Sequence, residues 1–102
     1  MNQGQMMAQL RKMQEQMAKA QEELANTTVT GTAGGELVTI EMTGEFRVTS
    51  VRIKKDAADP DDLETLEDLV VVAMNDAIAK VQELSGKKLG AVTGGMKIPG
   101  LM

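Results

Sequence analysis

The sequence predicts an α+β fold in the order α-β-β-β-α, with a long N-terminal helix, a three-stranded antiparallel sheet and assembly into a homodimer. Three observations support this prediction. Residues 5–26 carry apolar side chains at heptad spacing and contain neither Gly nor Pro. Residues 28–54 alternate strand-forming segments with Gly-containing turns. Residues 59–84 open with a helix-start signal and continue with a broad apolar stripe.

The first predicted helix has a narrow apolar stripe that is rich in methionine. Gln, Glu, Ala, Lys and Met dominate this segment, and all of them favour helix. The stripe is as wide as a coiled-coil seam and narrower than a full core face. Its members are Met6, Leu10, Met13, Met17, Ala20 and Leu24. Such a stripe indicates either a packing seam or, because Met side chains are adaptable, a groove for the helix of a partner protein.

Three short segments predict the strands of the sheet, which are residues 28–33, 36–42 and 46–54. The first is rich in Thr and Val, and the second alternates apolar and polar side chains. Gly34-Gly35 marks the first turn, and residues 43–45 form the second. Consecutive strands joined by such short turns predict an antiparallel meander with one apolar face.

The third strand has an irregular apolar pattern. Phe46 and Val48 share one parity along the strand, whereas Val51 and Ile53 share the other. Because side chains alternate between the faces of a sheet, a regular strand would place these pairs on opposite faces. A β-bulge between the pairs would bring them to the same face, so the pattern predicts a bulge.

The second predicted helix begins near Asp59, with Asp59 as the N-cap and Pro60 at the first helical position. We expect it to reach about Leu84 and to stop at Gly86. Its apolar stripe should cover the sheet and contains Leu63, Leu66, Val70, Ala73, Ala77, Val81 and Leu84. The predicted organisation is one domain over residues 1–86, followed by a Gly-rich basic tail over residues 87–102.

A single copy of this fold would leave two features without a partner. The first helix has only a narrow seam to bury, and a three-stranded sheet has two open edges. Both features favour the association of two chains, which is also a common source of stability for a chain of 102 residues. The residues predicted to lie in the dimer interface are Met6, Leu10, Met13, Met17, Leu24, Val38 and Ile40.

The composition excludes several classes of function. The chain contains no Cys and no His, which removes thiol chemistry, imidazole catalysis and the usual zinc sites. We therefore expect no enzymatic activity, no metal or other cofactor and no small-molecule substrate. No signal-peptide pattern opens the chain, and its longest apolar run, residues 69–74, is far shorter than a membrane span. These features predict a cytoplasmic protein without a membrane partner.

Charge is distributed unevenly along the chain. The net charge is −4, yet residues 56–84 contain nine acidic groups and one lysine, whereas residues 85–102 contain three lysines and no acid. Three groups of cations could contact phosphate, namely Arg11, Lys12 and Lys19; Arg47, Arg52 and Lys54; and Lys87, Lys88 and Lys97. Each group has an ordinary alternative: local helix pairs through Glu15, protection of strand edges, and a solubilising tail.

The sequence resembles the YbaB/EbfC family of bacterial nucleoid-associated proteins over nearly its whole length. The similarity is carried by "MQEQMAKAQEEL" at 13–24, "VTGTAGGELVTIEMTGE" at 29–45, "LEDLVVVAMNDAIAKVQEL" at 66–84 and "LGAVTGGMKIPGLM" at 89–102. The resemblance implies a homodimer with projecting helices, shaped like tweezers, and no enzymatic activity or cofactor. It also implies binding of double-stranded DNA in the cytoplasmic nucleoid, with a role in chromosome organisation and gene expression.

The resemblance implies that cations of the first helix and of the stretch after the second helix contact DNA. On the first helix the matching positions are Arg11, Lys12 and Lys19, and the basic stretch after the second helix corresponds to Lys87 and Lys88. Contacts of this kind would go mainly to phosphates. An alternative function stays open, in which the Met-lined helix binds a partner helix and the protein does not contact DNA directly.

Overall fold

The computed structural model describes residues 2–92 and confirms the predicted order α-β-β-β-α. Its elements are α1 (Gln3–Ala25), β1 (Thr28–Ala33), β2 (Val38–Thr43), β3 (Val48–Ile53), a 3-10 turn (Lys55–Ala57) and α2 (Leu63–Val92). The molecule is elongated and measures 70 × 27 × 16 Å along its principal axes. No helix within residues 2–92 is both long and apolar enough to cross a membrane.

The three strands form an antiparallel sheet in the order β1-β2-β3, as predicted. The central strand supplies the core, because Val38, Ile40 and Met42 are buried on one face. Directly opposed residues of antiparallel strands share a face, and Gly31 lies opposite Ile40 on this face of β1. The alternation seen in the sequence of β2 therefore sets which face of the sheet becomes the core.

Helix α2 packs closely on this face of the sheet. Ala73, Ala77 and Val81 are fully buried where α2 crosses the sheet. At Gly31, a Cβ atom would lie 2.5 Å from the backbone nitrogen of Ala77 and closer still to the carbonyl oxygen of Ala73. The backbone of α2 thus rests directly on the backbone of β1, and only small residues allow this approach.

Helix α1 packs against α2 only through its C-terminal half. Leu24 and Ala20 are buried, whereas Met6 and Leu10 are 51% and 55% exposed. The end of α1 is held by Gly44, whose backbone N–H donates to the carbonyl oxygens of Leu24 and Thr27 at 2.9 and 3.0 Å. The methionine stripe is therefore covered along part of its length, and its N-terminal part projects uncovered within the described residues.

The bulge predicted in the third strand is confirmed. Glu41 pairs with Ser50 and Met42 pairs with Val48, so Thr49 is the extra residue on β3. The extra residue changes the parity of the strand and places Val48 on the same face as Val51.

Both predicted turns are longer than the sequence suggested. β2 starts at Val38 because Gly34, Gly35 and Glu36 all have positive φ, at 64°, 65° and 72°. β3 starts at Val48, and Phe46, which was predicted to be its first residue, has a φ of 63° in the turn. Strand residues have negative φ, so neither Glu36 nor Phe46 can extend the adjoining strand.

The predicted boundaries of the second helix are wrong at both ends. The N-cap is Asp62, whose carboxylate accepts hydrogen bonds from the backbone N–H and hydroxyl of Thr65, whereas Asp59 accepts from Asp61 in the preceding turn. At the other end, α2 continues through Gly86 to Val92. The cost of a helical Gly is about 1 kcal/mol, and packing of the distal part of α2 on α1 offsets it. Residues 93–102 of the predicted tail lie outside the described residues.

The outer edge of β1 is closed by two side chains of α2. Asp76 Oδ2 accepts a hydrogen bond from the backbone N–H of Thr32 at 2.9 Å, and Lys80 Nζ donates to the carbonyl oxygen of Thr30 at 2.7 Å. Asp76 and Lys80 also pair with each other at 3.1 Å. These contacts occupy backbone groups that another strand would otherwise use, so one of the two predicted open edges is protected.

The pH dependence of unfolding should show the contribution of Asp76. The hydrogen bond from Thr32 N–H, and then that from Lys80, lower the pKa of Asp76 below its ordinary value. A lowered pKa in the folded state stabilises the fold above the ordinary value, and this contribution is lost as pH falls through the folded pKa. Asp76→Asn should lower the midpoint of urea unfolding at pH 7, and its difference from wild type should shrink in acid as pH falls through the lowered pKa of Asp76.

Asp68→Asn provides the matched control, because Asp68 is an exposed carboxylate of α2 without an ion pair among residues 2–92. It should leave the unfolding midpoint nearly unchanged at pH 7 and in acid. An equal effect of both substitutions at pH 7 would show that the bridge from Asp76 to β1 adds nothing specific.

Helix α2 covers β1 and β2 but leaves β3 uncovered. Val48, Val51 and Ile53 lie opposite core residues of β2 and share their face, yet they are 39%, 48% and 45% exposed. Conversely, Val38 and Ile40 are fully buried beneath α2. These two residues were predicted to line a dimer interface, but a second copy could reach them only by displacing α2.

Candidate nucleic-acid interface

The projecting part of α1 presents two free cations. Arg11 and Lys12 are exposed, and neither takes part in an ion pair within residues 2–92. The local pairs through Glu15 that offered an alternative explanation for the α1 cations are not formed in this part of the chain. Arg11 and Lys12 are therefore available to an external anion.

A second group of charges lies where α1 meets α2. Lys88 Nζ on α2 is 3.0 Å from Glu23 Oε2 on α1. The hydrogen bond from Lys88, followed by the positive charge of Lys88 and a smaller effect of Lys19, lowers the pKa of Glu23. Lys19 and Lys88 also line the same cleft beside the two helices. The fold thus brings together two predicted cations that are distant in sequence, together with a carboxylate that the prediction did not include.

Lys87 makes a different kind of contact. Its ammonium group lies 3.3 Å from Glu83 Oε1, one turn earlier on α2, and both side chains are largely exposed. Exposed pairs at this spacing contribute little to stability and exchange easily. Lys87 is therefore exposed near the end of α2, and Lys97, in the predicted tail, lies outside the described residues.

The strand cations do not join this group. Arg52 lies opposite Thr39 on the face of the sheet that α2 does not cover, and Lys54 follows the end of β3. Arg47 lies in the turn before β3, so the strand, at about 3.4 Å per residue, separates it by about 20 Å from Lys54. The structure thus spreads the three strand cations around the sheet.

The acidic segment lies at the other end of α2. Glu64 is in the first turn of α2, and further carboxylates precede it in the 3-10 turn and at the cap. At about 1.5 Å per residue, Lys88 is about 36 Å along the helix from Glu64. The molecule therefore has an acidic end at the start of α2. Its other end, which we call the arm and which consists of the projecting part of α1 and the last turns of α2, is more basic, although the net charge of the chain is −4. Within residues 2–92, no group of three or more acidic side chains is arranged to hold a metal ion.

Sequence reasoning missed the side chains that connect elements. Glu23, Asp76 and Lys80 each make contacts to a distant part of the chain. On the sequence alone, Asp76 and Lys80 form an ordinary helix pair at a spacing of four residues, and Glu23 is one of several exposed carboxylates of α1. The only available signal was that Lys80 is the single cation in the acidic segment 56–84.

The fold and the charge distribution define a small α+β protein with a projecting helix that carries exposed cations, and the comparison with known proteins assigns its family. The chain belongs to the YbaB/EbfC DNA-binding family, whose family model matches residues 1–96. The resemblance found in the sequence is thereby confirmed.

Relatives cover nearly the whole chain. A nucleoid-associated protein of Roseiflexus sp. (strain RS-1) is 50% identical over 100 residues, which are 98% of this chain and 99% of the relative. A nucleoid-associated protein of Chloroflexus aurantiacus is 50% identical over 97 residues, which are 95% of this chain and 97% of the relative. The crystal structure of an uncharacterized protein from Helicobacter pylori superposes with a TM-score of 0.77 at 20% identity, covering 95% of this chain and 99% of that chain, and shows the same fold.

Proposed function

We propose that this protein binds double-stranded DNA as a homodimer, mainly through phosphate contacts, and acts as a nucleoid-associated protein in the cytoplasm. Membership of a DNA-binding family and relatives named nucleoid-associated proteins support the choice of ligand. The observation that carries the proposal is that Arg11 and Lys12 are exposed, have no ion pair within residues 2–92 and lie on the arm, far from the acidic end of α2. Through such contacts the protein would organise the chromosome and affect gene expression.

The separation of charge explains how an acidic protein can bind a polyanion. Beyond about 10 Å at moderate salt, the interaction between exposed charges is largely screened. The carboxylates at the start of α2 are about 36 Å from Lys88 along the helix, so they contribute little repulsion at the arm. Because few cations are available, we expect micromolar or weaker affinity, in the range of non-specific binding.

A second copy would complete the apolar face of the sheet through β3. Val48, Val51 and Ile53 continue the core face beyond α2 and are uncovered in one chain. Since Asp76 and Lys80 close the β1 edge, β3 is the edge left for an isologous contact. Two copies joined there would carry two arms, and simultaneous binding of both arms would raise the affinity above that of one arm.

A salt titration tests the phosphate contacts. Binding of a short DNA duplex, measured by fluorescence anisotropy between about 50 and 200 mM salt, should give a log–log slope of about −0.9 per phosphate contact. Lys12→Glu should weaken binding about tenfold and make the slope shallower, because it removes one contact and adds repulsion in each copy. Binding that does not respond to salt would overturn the proposal.

Lys55→Glu is the matched control for this substitution. It makes the same change of charge in the exposed 3-10 turn that precedes the acidic start of α2, away from α1. We expect its duplex affinity to stay within about twofold of wild type because of screening. Equal losses in the two variants would mean that net charge, and not the arm, governs binding.

A further inference from the structure

Lys88 of α2 contacts the carboxylate of Glu23 on α1, and Lys19 lines the same cleft. Glu23 is the hydrogen-bond partner of Lys88 at 3.0 Å, and Lys19 lies one turn before Glu23 on α1. A cleft of about 330 Å³ opens beside these side chains, between α1 and α2. This arrangement differs from the Lys87–Glu83 pair, which involves neighbouring turns of a single helix.

We propose that Lys19 and Lys88 form a phosphate-binding site and that Glu23 occupies it as an internal counterion, which limits the affinity of the free protein for DNA. This inference rests on the proposed function and adds an affinity-determining residue to it. A carboxylate and a phosphate are both oxyanions and accept the same charge-assisted hydrogen bonds from an ammonium group. The carboxylate of Glu23 would therefore occupy the position at which a phosphate oxygen of DNA accepts a hydrogen bond from Lys88.

The exposure of the pair makes exchange possible. The side chains of Lys88 and Glu23 are 39% and 45% exposed, so solvent screens the pair and a phosphate can approach. The hydrogen bond from Lys88 also lowers the pKa of Glu23, so this carboxylate is charged at neutral pH. DNA must consequently displace a permanent negative charge in order to use Lys88.

This exchange has a signature in the salt dependence. When a free lysine neutralises a phosphate, a counterion leaves the DNA, and the slope of log affinity against log salt concentration becomes more negative by about 0.9. When Lys88 moves from Glu23 to a phosphate, the freed carboxylate attracts a cation, so the net release is close to zero. Removing the charge of Glu23 should therefore raise the affinity and also steepen the slope.

Glu23→Gln tests the inference, with Glu22→Gln as the matched control. Glu22 is the exposed neighbour on α1 and has no ion pair within residues 2–92, and both substitutions change the net charge equally. In duplex titrations at low salt, Glu23→Gln should bind at least about threefold more tightly than Glu22→Gln, with a slope more negative by about 0.9. Equal affinities and slopes would overturn the inference and leave the proposed function intact.

Lys88→Gln separates competition from a purely structural role. If Glu23 masks Lys88, Lys88→Gln should change wild-type affinity little but should cancel most of the gain when combined with Glu23→Gln. If the pair only holds α1 on α2, Glu23→Gln should instead bind DNA more weakly and should melt at a lower temperature in circular dichroism. That result would contradict the inference. Absence of duplex binding by wild type and both Gln variants would remove the proposed function itself.

Discussion

Gly31→Ala is expected to destabilise the protein strongly, although it adds a single methyl group. The new Cβ would lie 2.5 Å from the backbone nitrogen of Ala77 and even closer to the carbonyl oxygen of Ala73. Backbone atoms of a helix cannot rotate away as a side chain can, so α2 would have to lift from β1. Overpacking typically costs about 1–3 kcal/mol, and we expect the upper end here, with a fall of about 15 °C in melting temperature.

Gly86→Ala makes the same chemical change where it should have the opposite effect. Gly86 lies within α2, and beyond the adjoining backbone of the helix itself nothing lies within 4 Å of the position of its missing Cβ. Alanine at this position should stabilise the helix by about 0.5–1 kcal/mol. Thermal unfolding followed by circular dichroism, at equal protein concentrations, checks both variants. A melting temperature of Gly31→Ala equal to that of wild type would refute the close packing of α2 on β1.

Local patterns were sufficient to predict the elements of this fold. The alternation in β2 fixed the buried face at Val38, Ile40 and Met42, and the broken parity in β3 predicted the bulge found at Thr49. These features depend on the two-residue period of a strand, which the sequence displays directly. The stripe of α2 similarly identified the side that covers the sheet, except at Leu63, which is 55% exposed.

The errors concern features that depend on tertiary contacts. Gly86 is a strong local stop signal, yet α2 passes it because the distal turns of the helix pack against α1. Asp59 and Asp62 are both plausible N-caps in the sequence, and only the backbone of the intervening turn decides between them. Nothing in the local sequence carries this information.

The candidate interface was only partly predictable for the same reason. The sequence indicated that Arg11, Lys12 and Lys19 are basic residues of the first helix and that Lys87 and Lys88 belong to a basic tail, but it cannot show which of them have partners. The contact of Glu23 with Lys88 spans 65 positions in the sequence. Periodicity likewise suggested that Val38 and Ile40 face a second copy, because a buried face has the same pattern whether α2 or another chain covers it.

A charged residue on the uncovered apolar face of β3 is expected to disrupt the proposed dimer. Val51→Lys should convert the proposed dimer to a monomer and reduce duplex affinity by at least about tenfold, because the two arms no longer bind together. Val51 lies opposite Ile40 and is 48% exposed in one chain, so a lysine at this position can reach solvent in the monomer but not in the apolar contact. The added positive charge would by itself favour DNA, so a loss of affinity cannot result from electrostatic repulsion.

Val72→Lys is the control for this experiment. Val72 is 55% exposed and lies one helical turn before Asp76, on the side of α2 that faces the closed β1 edge. This variant should remain a dimer and should bind DNA at least as well as wild type. Sedimentation equilibrium at micromolar concentration gives the mass, circular dichroism verifies folding, and anisotropy gives the affinity. If Val51→Lys sediments with the same mass as Val72→Lys, β3 is not the contact between subunits, and the two arms must be brought together by another surface.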